Sequence, residues 1–347
     1  MGPGTPLTRR PRTRPRSALH REGGAGRDRP GTCIESSKVQ PVGRPAGRRP
    51  RCYPPGPRPS RRCPDRTPEL IDLHTHSDRS DGSDPPERIP ELAAEVGCRA
   101  VALTDHDRLD GIERAQARGR ELGVRVVAGC ELSCTTPWGS AHVLAYFVED
   151  RPGALQDELV RLREWRAERN RHLVDRLAGL GLPVTIDEVE AEAGAEGAGR
   201  PHVAAVLVRK GVVSSVQEAF DEWLAKGRPG YVERRRIELS AAIGLVRASK
   251  GVAVLAHPLS LGLEAPELDA AVAEMAAHGL GGIEAIYGRY RPEVREGLAS
   301  LAHRHGLAVT GGSDHHGIYK PDLRVGVGQG DLRVPDELLD ALEARRP

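Results

Sequence analysis

The sequence predicts an α/β barrel of seven strands, carrying a helical insertion and preceded by a basic tail. Three observations predict it. Apolar runs with strand character alternate with helical patterns from Glu69 onward, which is the signature of a parallel sheet joined by right-handed crossovers. The alternation stops between about residues 150 and 236. The polar residues able to do chemistry gather where the apolar runs end, which in an α/β barrel is one mouth.

The tail stands apart by charge. The 347 residues carry 51 Lys/Arg and 49 Asp/Glu, yet residues 1–68 hold 17 basic and 4 acidic side chains and 14 of the 28 prolines. The tail is thus +13 and residues 69–347 are −11. Segments such as Arg48-Arg49-Pro50-Arg51 have too little apolar surface to offset ordering entropy, so residues 1–68 read as disordered. A basic arm can bind nucleic acid through counterion release. Only Tyr53 interleaves the arginines, however, so stacking support is missing and a dispensable extension is the favoured reading. Cys33, Cys52 and Cys63 lack the close pairing of a zinc finger. No run of 18 apolar residues is present, and no apolar stretch follows the N-terminal charges, so neither a membrane span nor a secretory signal is expected. Six cysteines without a regular framework fit a reducing, cytoplasmic setting.

Within residues 69–347, strands are expected at Leu70–Leu73, Ala100–Leu103, Val124–Ala128, Val143–Val148, Val252–Ala256, Gly282–Tyr287 and Leu307–Thr310. Helices are expected at Glu87–Val96, Gly111–Leu122, Leu239–Ser249, Leu268–His278 and Pro292–His305. The insertion, about 150–236, reads as helices at Leu155–Leu180, His202–Lys210 and Val216–Lys226, with Ala191–Gly199 as a mobile loop.

Strand ends carry His74 and His76, Asp105 and His106, Glu131, His257, and Asp314 to His316, while His142 lies early in its run. His74 and His76 are two apart, so on a strand both face the same way. Imidazoles mixed with carboxylates suit Zn²⁺, Mn²⁺ or Fe²⁺ rather than ions held by oxygen alone. One such histidine means little, but several separate strand ends bearing them point to a metal centre.

His74-Thr75-His76, Ser80-Asp81-Gly82, Thr104-Asp105-His106, Gly129-Cys130-Glu131, Ala256-His257-Pro258 and Ser313-Asp314-His315-His316 resemble the motif set of the PHP (polymerase and histidinol phosphatase) superfamily. That resemblance implies a distorted seven-stranded (β/α) barrel over about residues 70–330 with two or three divalent metal ions. One would be held by His74, His76, Glu131 and Asp314, and a second by Glu131, His142 and His257. A third would use Asp81, His106 and His316, Asp81 standing where some relatives have histidine. Asp105 is expected to orient a ligand histidine, and Glu284 to be a packed barrel residue. The insertion, with Arg200-Pro201-His202 and Gly227-Arg228-Pro229-Gly230-Tyr231-Val232, most resembles that of bacterial 3′,5′-nucleoside bisphosphate phosphatases.

The chemistry this implies is phosphate monoester hydrolysis by a metal-bridging hydroxide, with Asp81 or a metal-bound water as proton donor and His257, an expected ligand, as the less favoured one. Arg200 and His202, and Lys226 and Arg228, are the candidate substrate phosphate contacts. The expected substrate is a phosphorylated nucleotide, losing its 3′-phosphate from a nucleoside 3′,5′-bisphosphate. The alternatives are 5′-to-3′ exoribonuclease action on short RNA, histidinol-phosphate hydrolysis, or a non-catalytic nucleotide-binding module. A Walker loop and a Rossmann fingerprint are absent, and no obligate protein partner is evident. Removing residues 1–68 is expected to leave turnover nearly unchanged; a large loss in the truncated protein would refute the dispensable tail.

Overall fold

The computed structural model describes residues 69–194 and 197–347; the tail and its expected disorder lie outside the described residues. Strands β1 (Leu70–Asp72), β2 (Cys98–Leu103), β3 (Arg125–Thr136) and β4 (Gly139–Tyr146) are followed by the two-residue β5 (Ile237–Glu238). Then come β6 (Val252–Leu255), β7 (Gly282–Tyr287) and β8 (Ala308–Gly312). They form a sheet in the order β1-β2-β3-β4-β6-β7-β8, with β5 added beside β3. The sheet curls until its ends meet. Leu73 N–H donates to the Gly311 carbonyl at 3.0 Å and Asp314 N–H to that of His74 at 2.8 Å. Buried Asp72 staples the same seam by accepting from the amides of Ser313 (2.9 Å) and Gly326 (2.7 Å). A side chain at Gly312 would run into the backbone nitrogen of His74, so the seam can close only over glycine.

The expectation of an all-parallel sheet is corrected at β4, which is antiparallel to both β3 and β6. Only Pro137 and Trp138 separate β3 from β4, and a two-residue connection can join only antiparallel strands. The consequence is functional. The start of an antiparallel strand lies at the end of the barrel where its parallel neighbours finish, so His142, paired opposite Ser133, reaches the same mouth as the others.

Strand alternation divides the core. Ala100 and Ala102, Leu144 and Tyr146, and Val252 and Val254 point into the barrel. Val101 and Leu103, Val143 and Ala145, and Ala253 and Leu255 point out beneath the covering helices. These are α1 (Arg88–Glu95), α2 (Ile112–Leu122) and, later in the chain, α7 (Leu239–Ala248), α8 (Ala265–Ala277) and α9 (Pro292–Arg304). Leu332, Val334 and the final helix (Glu337–Glu343, α10), which the sequence reading missed, fill the barrel floor through Leu339 and Leu342. The mouth is left open at the other end. Cys98, Cys130 and Cys134 are buried packing residues.

Between β4 and β5 come α3 (Ala154–Gly179), α4 (Ile186–Ala193), α5 (Arg200–Arg209) and α6 (Val216–Ala219), the last running into a π turn at Phe220–Leu224. Helix α4 replaces part of the expected loop at 191–199. Thr185 and Glu188 form a reciprocal capping box at its start, and left-handed Gly194 ends it. At 26 residues, α3 is about 39 Å long. Its Leu155, Leu159 and Leu162 join the barrel core, whereas Leu173 and Leu177 join a separate apolar cluster with α4 and α5. Among the described residues no helix is long and apolar enough to cross a membrane.

Candidate metal centre

Glu131 points inward near the middle of β3 by the period-two rule and is almost wholly buried. Its two oxygens face different histidines. Oε2 lies 3.5 Å from His74 Nε2, 3.3 Å from His76 Nε2 and 3.2 Å from His106 Nδ1. Oε1 lies 2.8 Å from His142 Nδ1 and 3.1 Å from His257 Nε2. Asp314 completes one group, its Oδ1 standing 3.5 Å from the Nε2 atoms of both His74 and His76. Those two nitrogens are 3.1 Å apart. Donors placed tetrahedrally at ligand distance from Zn²⁺ are separated by about 3.3 Å, so the spacing of His74, His76 and Asp314 fits three positions around one ion. Asp81 sits with His316 Nε2 at 3.3 Å and His106 Nε2 at 3.8 Å.

Eight of the nine ligands expected in sequence recur in groups whose donor atoms all lie within 4.8 Å of one another: His76, Asp81, His106 and His316; His74, His76 and Asp314; and His106, Glu131 and His142. His257 joins through Glu131 Oε1 rather than through one of these groups. The grouping differs from the expected one in that His106 turns its Nδ1 toward Glu131 and its Nε2 toward Asp81. Imidazole and carboxylate donors around one buried carboxylate are chemically suited to borderline divalent ions.

The ring orientations are held from behind. Glu284 accepts from His74 Nδ1 at 2.8 Å and from the His257 amide at 2.7 Å, leaving His74 Nε2 toward the centre. It is a packed residue, as expected, with an orienting contact. Asp105 touches no histidine ring directly: it accepts from the Ser77 and Ser80 hydroxyls, both at 2.6 Å, and Ser80 Oγ stands 3.4 Å from His76 Nδ1. The expected direct contact is therefore replaced by a serine relay. His315 faces away, between Asp84 and the Leu323 carbonyl. Gly82 packs so tightly that a Cβ would lie 2.5 Å from the His76 carbonyl oxygen. Asp107, His257 and Asp314 adopt positive φ (57°, 27° and 59°), a strained state for side-chain-bearing residues that is common at functional sites.

The electrostatics are those of a crowded charge cluster. Burial favours neutral Glu131, Asp81 and Asp314, but their neighbours win and hold all three well below the usual carboxylate range: the imidazoles of His142 and His106 for Glu131, those of His106 and His316 for Asp81, and Lys320 with the His316 imidazole for Asp314. Burial also opposes protonation of His74 and His76. Glu284 and Glu131 overrule it at His74, raising its pKa well above the usual value, and Asp314 and Glu131 raise His76 to about 9. Burial prevails at His106 and His142, whose values fall, and at His316, which falls to about 4.

In front of the ligands lies a cavity of about 280 Å³ lined by Arg166, Arg169, Arg200, Arg234, Arg236 and Lys320. Of the expected substrate contacts, only Arg200 lines it. His202 is buried, its Nδ1 accepting from the Gly199 amide to cap α5, and Lys226 and Arg228 are exposed outside the cavity. The missed cations had a readable signal. Arg166, Arg169 and Asn170 continue the inward stripe of α3 between Leu162 and Leu173, placing basic residues where apolar ones belong. Asp107 anchors two of the cations, accepting from Arg166 (2.9 Å) and Arg234 (3.4 Å). Burial and the adjacent Arg166 lower Arg234 to about 9, and burial with repulsion from Arg200 lowers Arg169 well below its usual value. Arg169 Nε has no hydrogen-bond partner among the described residues. An anion would relieve that repulsion. Lys320 Nζ (2.6 Å) and the Tyr287 hydroxyl (2.8 Å) hold the second oxygen of Asp314.

A family model described as PHP domain matches residues 72–177. The chain is 32% identical over 249 residues to a 3′,5′-nucleoside bisphosphate phosphatase of Chromobacterium violaceum, covering 71% of this chain and 87% of that one. It is 30% identical to the 5′-3′ exoribonuclease Rnm of Escherichia coli (71% and 85%). It is 32% identical to a phosphoribosyl 1,2-cyclic phosphate 1,2-diphosphodiesterase of Eggerthella lenta (77% and 99%). A solved structure from Bifidobacterium adolescentis, classed provisionally as a metal-dependent phosphoesterase, superposes with a TM-score of 0.72 at 31% identity, covering 81% of this chain and 98% of that one.

Ligation needs bare imidazole nitrogens, whereas the carboxylates around metal-free His74 and His76 raise both pKa values and favour the protonated form. Uptake of Mn²⁺ or Zn²⁺ near neutral pH is therefore expected to release protons, read by calorimetry in buffers of differing ionisation enthalpy. Uptake without proton release would contradict the assignment.

Proposed function

The chain belongs to the PHP-domain family of metal-dependent phosphoesterases and is a hydrolase of phosphoric ester bonds; on that premise we propose that it removes the 3′-phosphate from nucleoside 3′,5′-bisphosphates. The observation that carries the substrate is the ring of cations in front of the ligand cluster. A cluster that hydrolyses one phosphate has no need of Arg166, Arg169, Arg200, Arg234 and Arg236, whereas a second phosphate on the same molecule does. The reading takes residues 69–347 as the catalytic unit and α3 to α6 as its substrate-binding insertion.

We assign His74, His76, Glu131 and Asp314 to one divalent ion, and Glu131, His142 and His257 to a second. Asp81, His106 and His316 are assigned to a third. Bound ions of this kind supply an activated water and withdraw charge from phosphoryl oxygens. The chain does the rest. Glu284 fixes the tautomer of His74, and Lys320 and Tyr287 keep Asp314 from turning. The arginines orient the remote phosphate, and α3 covers one side of the cavity. Asp81, whose pKa is lowered against burial beside the His106 and His316 imidazoles, suits a ligand or proton acceptor better than a donor. His257, assigned to the second ion on its Nε2 side and with Nδ1 at 3.0 Å from Ser260 Oγ, is held as a ligand and is poorly placed to hand a proton to the departing oxygen.

A second reading is supported by the similarity to the exoribonuclease: the same cations could hold the 5′-phosphate of a short RNA. Phosphate and nucleotide release from a nucleoside 3′,5′-bisphosphate, a 5′-phosphorylated RNA trimer and histidinol phosphate, with Mn²⁺ added, separates the readings. The bisphosphate is expected to be turned over best, and Glu131→Ala to lose turnover and metal content together. Arg169→Met is expected to raise KM for the bisphosphate by about tenfold or more, the scale of a lost charge-assisted hydrogen bond, with a smaller effect on the nucleoside 3′-monophosphate. Preference for the trimer, or an equal effect of Arg169→Met on both nucleotides, would overturn the bisphosphate reading.

A further inference from the structure

The cationic cavity does not end at the ligands. It shares Pro201, Phe220, His316 and Lys320 with a second groove of about 680 Å³, so the two form one trough passing the candidate metal centre. The walls of this groove come from different parts of the chain. Pro201 at the start of α5, Val216 on α6 and Phe220 face Ile318 and Tyr319 from the loop after β8. Phe220 begins the π turn at the end of α6, a local unwinding that re-aims side chains and is frequent at functional sites.

The chemistry of the two halves differs. One holds five arginines, whereas the other offers half-buried Phe220 and Tyr319 and an Ile318 side chain that is 71% exposed. Tyr319 stands with its ring perpendicular to that of His202, centroids 5.0 Å apart. Lys320 stands at the join, its amino group on Asp314. The groove volume lies within the roughly 300–1,000 Å³ usual for ligand sites, and aromatic faces beside a cation suit a flat π system carried on a phosphate ester.

We infer that this groove binds the nucleobase of the substrate, so that the enzyme selects base-bearing phosphate esters over base-free sugar phosphates. The inference rests on the phosphoesterase reading of the adjoining centre and deepens it. It separates this chain from a purely sugar-phosphate specificity, to which one of the similar proteins points by its name.

The test compares kcat/KM for a nucleoside 3′,5′-bisphosphate with that for its abasic counterpart, in which hydrogen replaces the base. The full-length Mn²⁺-loaded protein is expected to favour the base-bearing ester by about tenfold, the scale of base–aromatic stacking. Phe220→Leu keeps apolar volume but removes the π face, and Ile318→Asp changes an exposed position that can fold with either side chain. In each the preference is expected to fall several-fold toward unity. Equal or reversed efficiencies in the unaltered protein, or a preference kept by both variants, would overturn the inference while leaving bisphosphate hydrolysis standing. Failure to hydrolyse either ester would sink the bisphosphate reading, and this inference with it.

Discussion

One buried carboxylate holds the site together. Glu131 offers one oxygen to His74, His76 and His106 and the other to His142 and His257, so five imidazoles from four parts of the chain converge on a single side chain. That convergence depends on the barrel. β3 aims Glu131 inward, and the hairpin at Pro137-Trp138 brings His142 back beside it. Closure of β8 onto β1 over Gly312 and Asp72 then sets Asp314 opposite His74 and His76. A one-residue slip of β3 would turn Glu131 out of the barrel and dissolve the cluster.

Such a site is held against its own electrostatics. Three ionised carboxylates and six imidazoles share one mouth, and nearby Asp107, His257 and Asp314 carry left-handed backbone that costs roughly 1–3 kcal/mol at each position. The cationic side of the cavity is strained in the same way, with Arg169, Arg200 and Arg234 all shifted down by burial and mutual repulsion. Both halves gain when charge of the opposite sign arrives: cations among the carboxylates, anions among the arginines. The stability spent on holding them apart is recovered on binding, as in other preorganised sites.

Much of this was legible in the amino-acid order because it follows short-range rules. His74 and His76 two apart on a strand, Glu131 at an inward position and Asp314 after a glycine pair all announce themselves by spacing and place. Direction and long-range partnership were harder. Val143–Val148 reads as one more apolar run, and only the two-residue link before the true strand start at Gly139 reveals that β4 runs backward. Arg166 and Arg169 were hidden because a basic face on a long helix usually meets solvent; their inward position appears only when α3 is read as one continuous stripe. His202 misled in the opposite sense, since a histidine after a helix-start proline can serve the Gly199 amide as well as a phosphate. Tyr287, Glu284 and Lys320 act through contacts of Asp314 and His74 that no local pattern encodes.

The central claim is that Glu131 bridges ions within the barrel mouth. Anomalous diffraction at the manganese edge from crystals grown with Mn²⁺ tests it most directly. The account predicts one peak among His74, His76 and Asp314 and another facing His142 and His257, with Glu131 contributing an oxygen to each. Peaks that leave Glu131 unligated, or ions bound only outside the barrel mouth, would contradict it.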